Sequence, residues 1–283
     1  MMKGRSVLRT DRMLMAAGLL LCMVILIFYA VSGKAMGLVY EKADYTASAW
    51  GIEEIRIKAR NMPVKVTSSS AGDITIHYYT CERDPYEVSL DGSVLTLTYL
   101  NKSLIEGTDS NPHVEVSLPA EYAGVLQLET SNAPVSVSGL TSAGQVSINT
   151  SNSPIDIEYV SAAQVIAHTS NGAITLDEVT VAGTLDLRSS NGTLTARQVT
   201  ARDKMRMETS NGRISVDQTE SAVIELSSSN GSISGSVAGK RSDYSISSGT
   251  SNGENSLVDG GKGNLKLTVY TSNGNIDIRF LGE

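Results

Sequence analysis

Asp186, Arg188, Arg206 and Glu208 are the residues of this 283-residue chain whose types and spacing come nearest to chemistry. Each carboxylate sits two residues from a guanidinium, and the two pairs lie twenty residues apart. If those segments lie side by side as strands, the four side chains share one face. Glycoside cleavage uses two carboxylates at a set separation, one of them with a raised pKa. A flat, exposed strand face does not raise a carboxyl pKa, so a ladder of salt bridges between adjacent strands is the expected arrangement. His77, His113 and His168 are separated by 36 and 55 residues, and no Cys/His cluster has metal-ligand spacing. No catalytic residue, cofactor site or metal site is therefore assigned. The single tryptophan, Trp50, is expected to act as a cap or interface anchor. With aromatics at 5% of the chain, it and Tyr78-Tyr79 are weak candidates for stacking on sugars.

What must position these residues is a repeat. The tripeptide Ser/Thr-Ser-Asn occurs eight times, with its asparagine at Asn132, Asn152, Asn171, Asn191, Asn211, Asn230, Asn252 and Asn273. A fixed period of this length marks a repeat architecture. Apolar residues recur six and four positions before the asparagine (Leu185/Leu187, Met205/Met207) and three and five after it (Leu194/Ala196, Ile214/Val216). Polar residues fill the places between, which is the period-2 pattern of a strand with one buried face. A further apolar residue eight positions on (Leu140, Val160, Val179, Val199) would close a third side. Because equivalent residues keep the same inward phase in every copy, stacking in parallel fits better than a meander of hairpins. The expected fold is all-β: a parallel β-solenoid of about eight coils of 19–22 residues, with an N-terminal β-rich cap and one N-terminal transmembrane helix. Stacked asparagines would hydrogen-bond along the axis as a ladder. The Ser/Thr before them would bond to the turn backbone. Gly172, Gly192 and Gly212 would allow positive φ or close backbone approach. The corners carry no carboxylates, against a calcium array. The coil at Asn252, followed by a Gly-rich stretch through Asp259 to Gly263, departs from the pattern and is expected to be a loosened coil or bulge.

The segment from Met13 to Val31 carries no charge and is preceded by Lys3, Arg5, Arg9 and Arg12. Its 19 residues suffice to cross a hydrocarbon core, and the flanking cations hold the tail in the cytoplasm. The expected organisation is a cytoplasmic tail at 1–12, an uncleaved anchor at 13–32, a stalk at 33–47, a capping region at 48–128 and the repeat solenoid at 129–283. A cleaved signal peptide is the alternative for the N-terminal segment. This puts a single-pass protein in the cell membrane with the bulk of the chain outside the cytoplasm. Cys81 is the one cysteine in that bulk, so no disulfide forms within it. Asn61 fits the repeat register, with Ile55/Ile57 before it and Val64/Val66 after, and reads as a degenerate first coil. Asp91-Gly92 signals a hairpin, and 101–112 reads as a long loop. At the other end, Arg279-Phe280-Leu281-Gly282-Glu283 would form either a lid on the last coil or an edge for self-association.

These residues make the chain resemble a bacterial family known as putative adhesins, a domain of unknown function built on a β-strand repeat. The resemblance rests on Ile55-Arg56-Ile57, Val64-Lys65-Val66, the strand ending Val116-Ser117-Leu118-Pro119 and the Ser-Asn-Gly coils, over about residues 50–283. It implies a cell-envelope protein, often membrane-anchored, with some relatives linked to envelope stress, and it carries over no catalytic residue. The functional expectation is a non-enzymatic, membrane-anchored module that binds an envelope protein or a cell-surface glycan. The alternative is a polysaccharide-active β-helix enzyme, a lyase or glycosidase. A net charge of −7 without a basic stripe argues against nucleic acid.

Overall fold

The computed structural model describes residues 40–81, 85–100 and 112–283. The anchor read at 13–32 and nearly all of the loop read at 101–112 lie outside them. No helix among the described residues is long and apolar enough to cross a membrane.

The described chain is all-β, apart from a single 3₁₀ turn at Arg241–Asp243. Its strands are β1 (Glu41–Ser48), β2 (Glu54–Lys58), β3 (Val64–Ser69), β4 (Asp73–Thr80), β5 (Tyr86–Asp91), β6 (Val94–Tyr99) and β7 (Val114–Pro119). These are followed by β8 (Val125–Glu129), β9 (Val135–Ser138), β10 (Ala143–Asn149), β11 (Ile155–Thr169), β12 (Ile174–Val181), β13 (Thr184–Ser189) and β14 (Leu194–Ala201). The last are β15 (Lys204–Thr209), β16 (Ile214–Ser221), β17 (Val223–Ser228), β18 (Ile233–Val237), β19 (Tyr244–Thr250), β20 (Leu265–Thr271) and β21 (Ile276–Phe280).

They pair into two stacks joined at the asparagine corners. The first runs β5-β6-β2-β8-β10-β11-β13-β15-β17-β20-β19, parallel except at β5–β6. The second runs β1-β4-β7-β3-β9-β11-β12-β14-β16-β18-β21, parallel after β7. The arrangement is solenoid-like, each coil pairing with its two neighbours. The inward residues make one continuous core: Leu185, Leu187, Leu194 and Ala196 are all but fully buried, and so are Leu140, Val160, Val179 and Val199 on the third side. That side begins at a left-handed corner seven residues after the asparagine. Tyr159, Glu178, Gln198 and Gln218 hold φ between 51° and 55° there, a conformation that costs a non-glycine residue roughly 1–2 kcal/mol.

Two features of coil order differ from the sequence reading. At the N-terminal end, the Asn61 coil lies inside the stack, because β6 and β7 fold back to cover it. The Asp91-Gly92 hairpin joins β5 to β6 as read, with Gly92 at φ 58°. β1 occupies residues read as stalk and pairs antiparallel with β4. At the other end, the Asn273 coil is inserted between the Asn230 and Asn252 coils, since β20 pairs with both β17 and β19. The irregular stretch after Asn252 is therefore the end cover. Gly260 exchanges backbone hydrogen bonds with Ile246, and Asp259 Oδ1 accepts from the Ser248 amide at 2.7 Å. Phe280 packs on Tyr244, and the Leu281 amide donates to Val237 O.

Candidate binding groove

The asparagine corners are a structural column. Each amide donates to the side-chain oxygen of the coil before it, from Asn132 to Asn61 through to Asn230 to Asn211, then Asn273 to Asn230 and Asn252 to Asn273, at 2.6–2.8 Å. Eight of these nine side chains are exposed, and Asn61 is half-buried. Behind them runs a buried column of hydroxyls. Thr209 Oγ1 accepts from the Gly212 amide and donates to Gly192 O, and Ser189 and Ser228 repeat the pattern. The glycines serve close approach, not positive φ: a Cβ on Gly212 would stand 1.9 Å from Gly192 O.

The carboxylates first considered for chemistry are engaged on a flat face. Asp186 accepts from Nε and Nη2 of Arg188, at 2.9 and 2.7 Å, and Glu208 accepts from Arg206 at 2.6 Å. These pairs form along each strand, at i and i+2, and not between strands as the spacing suggested. His168 lies against Asp186 at 3.9 Å. Burial holds its pKa below the ordinary value, ahead of the opposing effect of Asp186. His77 binds Asp44 Oδ1 at 2.6 Å, and that hydrogen bond lowers the Asp44 pKa. His113 stacks on Tyr79. Among the described residues, no group of three or more His, Cys, Asp or Glu is placed to hold a metal ion.

The feature that the sequence reading missed is a groove beside Trp50. Trp50 is 93% exposed, so it is neither a cap nor buried in an interface within the chain. The turn from Ala49 to Ile52 presents it: the Ile52 amide donates to Ala49 O at 3.3 Å, and Gly51 holds φ 83°. That is the geometry of a type II turn with glycine at its third position. The adjoining groove has a volume of about 620 Å³ and is floored by Ile52, Tyr122, Ala123 and Gly124. Glu53 and Glu121 are its charged lining residues. Tyr122 is 5% exposed, and its hydroxyl finds no hydrogen-bond partner among the described residues. Burial, then Glu54 and Glu53, push its pKa well up. Ala123 also lines a second hollow of about 400 Å³, along Thr141, Gly144, Ser161, Ala163 and Thr180. The two hollows adjoin at Ala123, which lines both. Nothing in the spacing of Trp50 signalled this, because the turn that exposes it and the coils that floor the groove are brought together only by stacking.

A regular stack of mostly parallel β-coils defines the fold class. The chain belongs to the Toastrack DUF4097 family, whose model matches residues 52–281. Among solved structures, it is similar to one described as a putative adhesin from Bacteroides fragilis NCTC 9343. That likeness has 14% identity and a TM-score of 0.52, over 84% of this chain and 97% of the other. It is also similar to a protein described as a putative lipid binding protein from Parabacteroides distasonis ATCC 8503, at 14% identity and TM-score 0.51, over 85% and 97%. At this identity the likenesses show the fold. Among curated proteins, nothing matches.

Proposed function

We propose that this protein is a non-enzymatic binding module of the bacterial cell envelope: a parallel β-solenoid anchored through residues 13–32 that presents its surface outside the cytoplasm. The observation that carries this is the nearly fully exposed Trp50 over an open groove. An indole left in water forgoes about 1.5–3 kcal/mol of burial, and contact with a partner recovers it. The carboxylates best placed for hydrolysis lie on a flat face, each held by its arginine, which supports binding over turnover. The names of the two solved neighbours, an adhesin and a lipid-binding protein, agree with a surface role.

The test of topology uses cysteine. In a Cys81→Ser background, Gly72→Cys places a thiol at an exposed position with open space around it. A membrane-impermeant thiol reagent is expected to label it in intact cells. Labelling that appears only after lysis contradicts the proposed orientation.

A further inference from the structure

We propose that the two adjoining hollows, which together form a trough from Trp50 to Ala182, bind one extended strand of a neutral, β-linked polysaccharide. The proposal rests on the surface-binding reading above and names its ligand and site. Corner positions that follow one another up the stack line the trough: Glu53, Gly124, Gly144 and Ala163, with Gly183 next in register. The amides of Val125 and Gly144 donate to Glu53 O and Gly124 O, and Asp203 to Gly183 O, which ties the column coil to coil. Glycine lets the coils approach closely here, since a Cβ on Gly124 or Gly144 would stand 2.6 Å from Glu53 O or Ala123 O, and the Asp203 carboxylate lies 3.7 Å from where a Gly183 Cβ would stand. Five coils at about 4.8 Å give a trough on the order of 19 Å long.

Beside this floor three successive coils offer hydroxyls, at Thr141 and Ser142, Ser161 and Thr180. Thr141, Ser161 and Thr180 lie in register: the Ser161 amide bonds to Leu140 O, and Ser161 pairs with Thr180. A donor-acceptor group every ~4.8 Å is close to the length of one pyranose unit in an extended β-linked chain. Successive sugars would therefore meet equivalent hydroxyls. Trp50 stands at the head of the trough, where its indole face suits the apolar C–H face of a pyranose ring. The Tyr122 hydroxyl, buried and without a partner among the described residues, lies in the floor next to Gly124. Charge selects among polymers. The lining carries Glu53 and Glu121 and no cation. Carboxylates accept sugar hydroxyls and repel phosphate-bearing polymers and anionic lipid headgroups.

Trp50 is the only tryptophan, so fluorescence of the full chain, held in a sugar-free detergent, reads this site alone. Cellohexaose and hexa-N-acetylchitohexaose serve as probes. At least one is expected to give a saturable blue shift, with the matching trisaccharide at least tenfold weaker and maltohexaose silent. Ala163→Arg fills the exposed middle of the trough and leaves the reporter in place, so it is expected to weaken binding at least tenfold. Trp50→Ala, read by calorimetry, is expected to abolish it. Neither site is buried, and circular dichroism confirms folding. No response to either β-linked probe at millimolar concentration overturns the proposal. So does a response only to phosphatidylglycerol vesicles, which assigns the trough to membrane. Binding that survives both substitutions overturns the trough and leaves the surface-binding reading standing. Release of reducing ends would instead overturn the surface-binding reading.

Discussion

At the scale of single residues, the asparagine column has a cost structure set by exposure. A buried ladder would lose about 1–3 kcal/mol per deletion through stranded amides. The column faces water, so a broken bond is replaced by solvent and the net loss is about 0.5–1.5 kcal/mol for each. Asn191→Leu removes two such bonds, to Asn171 and from Asn211. Asn252→Leu removes one, to Asn273. Urea midpoints are expected to fall by about twice as much for Asn191→Leu as for Asn252→Leu, while Asn273→Leu, which also has two neighbours, behaves like Asn191→Leu. A second residue-scale effect is acid sensitivity at His168. Its folded pKa lies below the unfolded value of 6.5. The unfolded state therefore takes up the proton first, and stability that is fully present above pH 6.5 is lost as pH falls toward the folded pKa. His168→Gln is expected to flatten the fall in melting temperature between pH 7.5 and 5.5. An unchanged slope would show that the imidazole is as well solvated folded as unfolded.

At the scale of elements, the corner explains the tripeptide. The first hydroxyl caps the turn from behind, the asparagine ties adjacent coils outside, and the glycine admits the neighbouring carbonyl. Gly212→Ala forces a methyl to within 1.9 Å of Gly192 O in mid-stack, and is expected to cost about 3 kcal/mol or more, at the upper end of overpacking effects. Gly72→Ala, in open space, is expected to be near neutral. Comparable denaturant midpoints for the two would mean that the coils do not approach so closely. These strands were legible because period-2 burial repeats around each asparagine. Positions such as Leu185 and Leu187 needed no tertiary information. The left-handed corner was not legible. Tyr159, Glu178, Gln198 and Gln218 are residue types that do not prefer positive φ, and only the closing of the third side imposes it.

At the scale of the whole molecule, coil order was the part the sequence concealed. A repeat tells each coil what to stack on but not which copy, because Asn230 meets Asn252 or Asn273 through the same residues. Coverage of the strand edges decides it. The irregular stretch with Asp259 and Gly260 shields β19 best from the outside, so the regular Asn273 coil is drawn inward. At the opposite end, β1, β4 and the β5–β6 hairpin provide the same protection. The order is testable in a Cys22→Ser, Cys81→Ser background. Ser229 and Ser272 lie on adjacent coils, the Ser272 amide donating to Ser229 O. Their spacing of about 4.8 Å falls within disulfide reach. Oxidation is expected to cross-link Ser229→Cys with Ser272→Cys and not with Ser251→Cys, two spacings away. Preference for the second pair would restore simple sequential stacking.

The trough was hidden in another way: Gly124 and Ala163 share the repeat register, each eight residues before an asparagine, but no spacing associates Trp50 with them. The central claim, that the protein binds an envelope surface without altering it, is tested most directly by incubating the full chain with purified cell-wall polysaccharide. The sedimented protein and the products released are then measured together. The protein is expected in the pellet, with no new reducing ends or unsaturated sugars in the supernatant. Product release that Asp186→Asn or Glu208→Gln abolishes would contradict the claim and make the protein an enzyme.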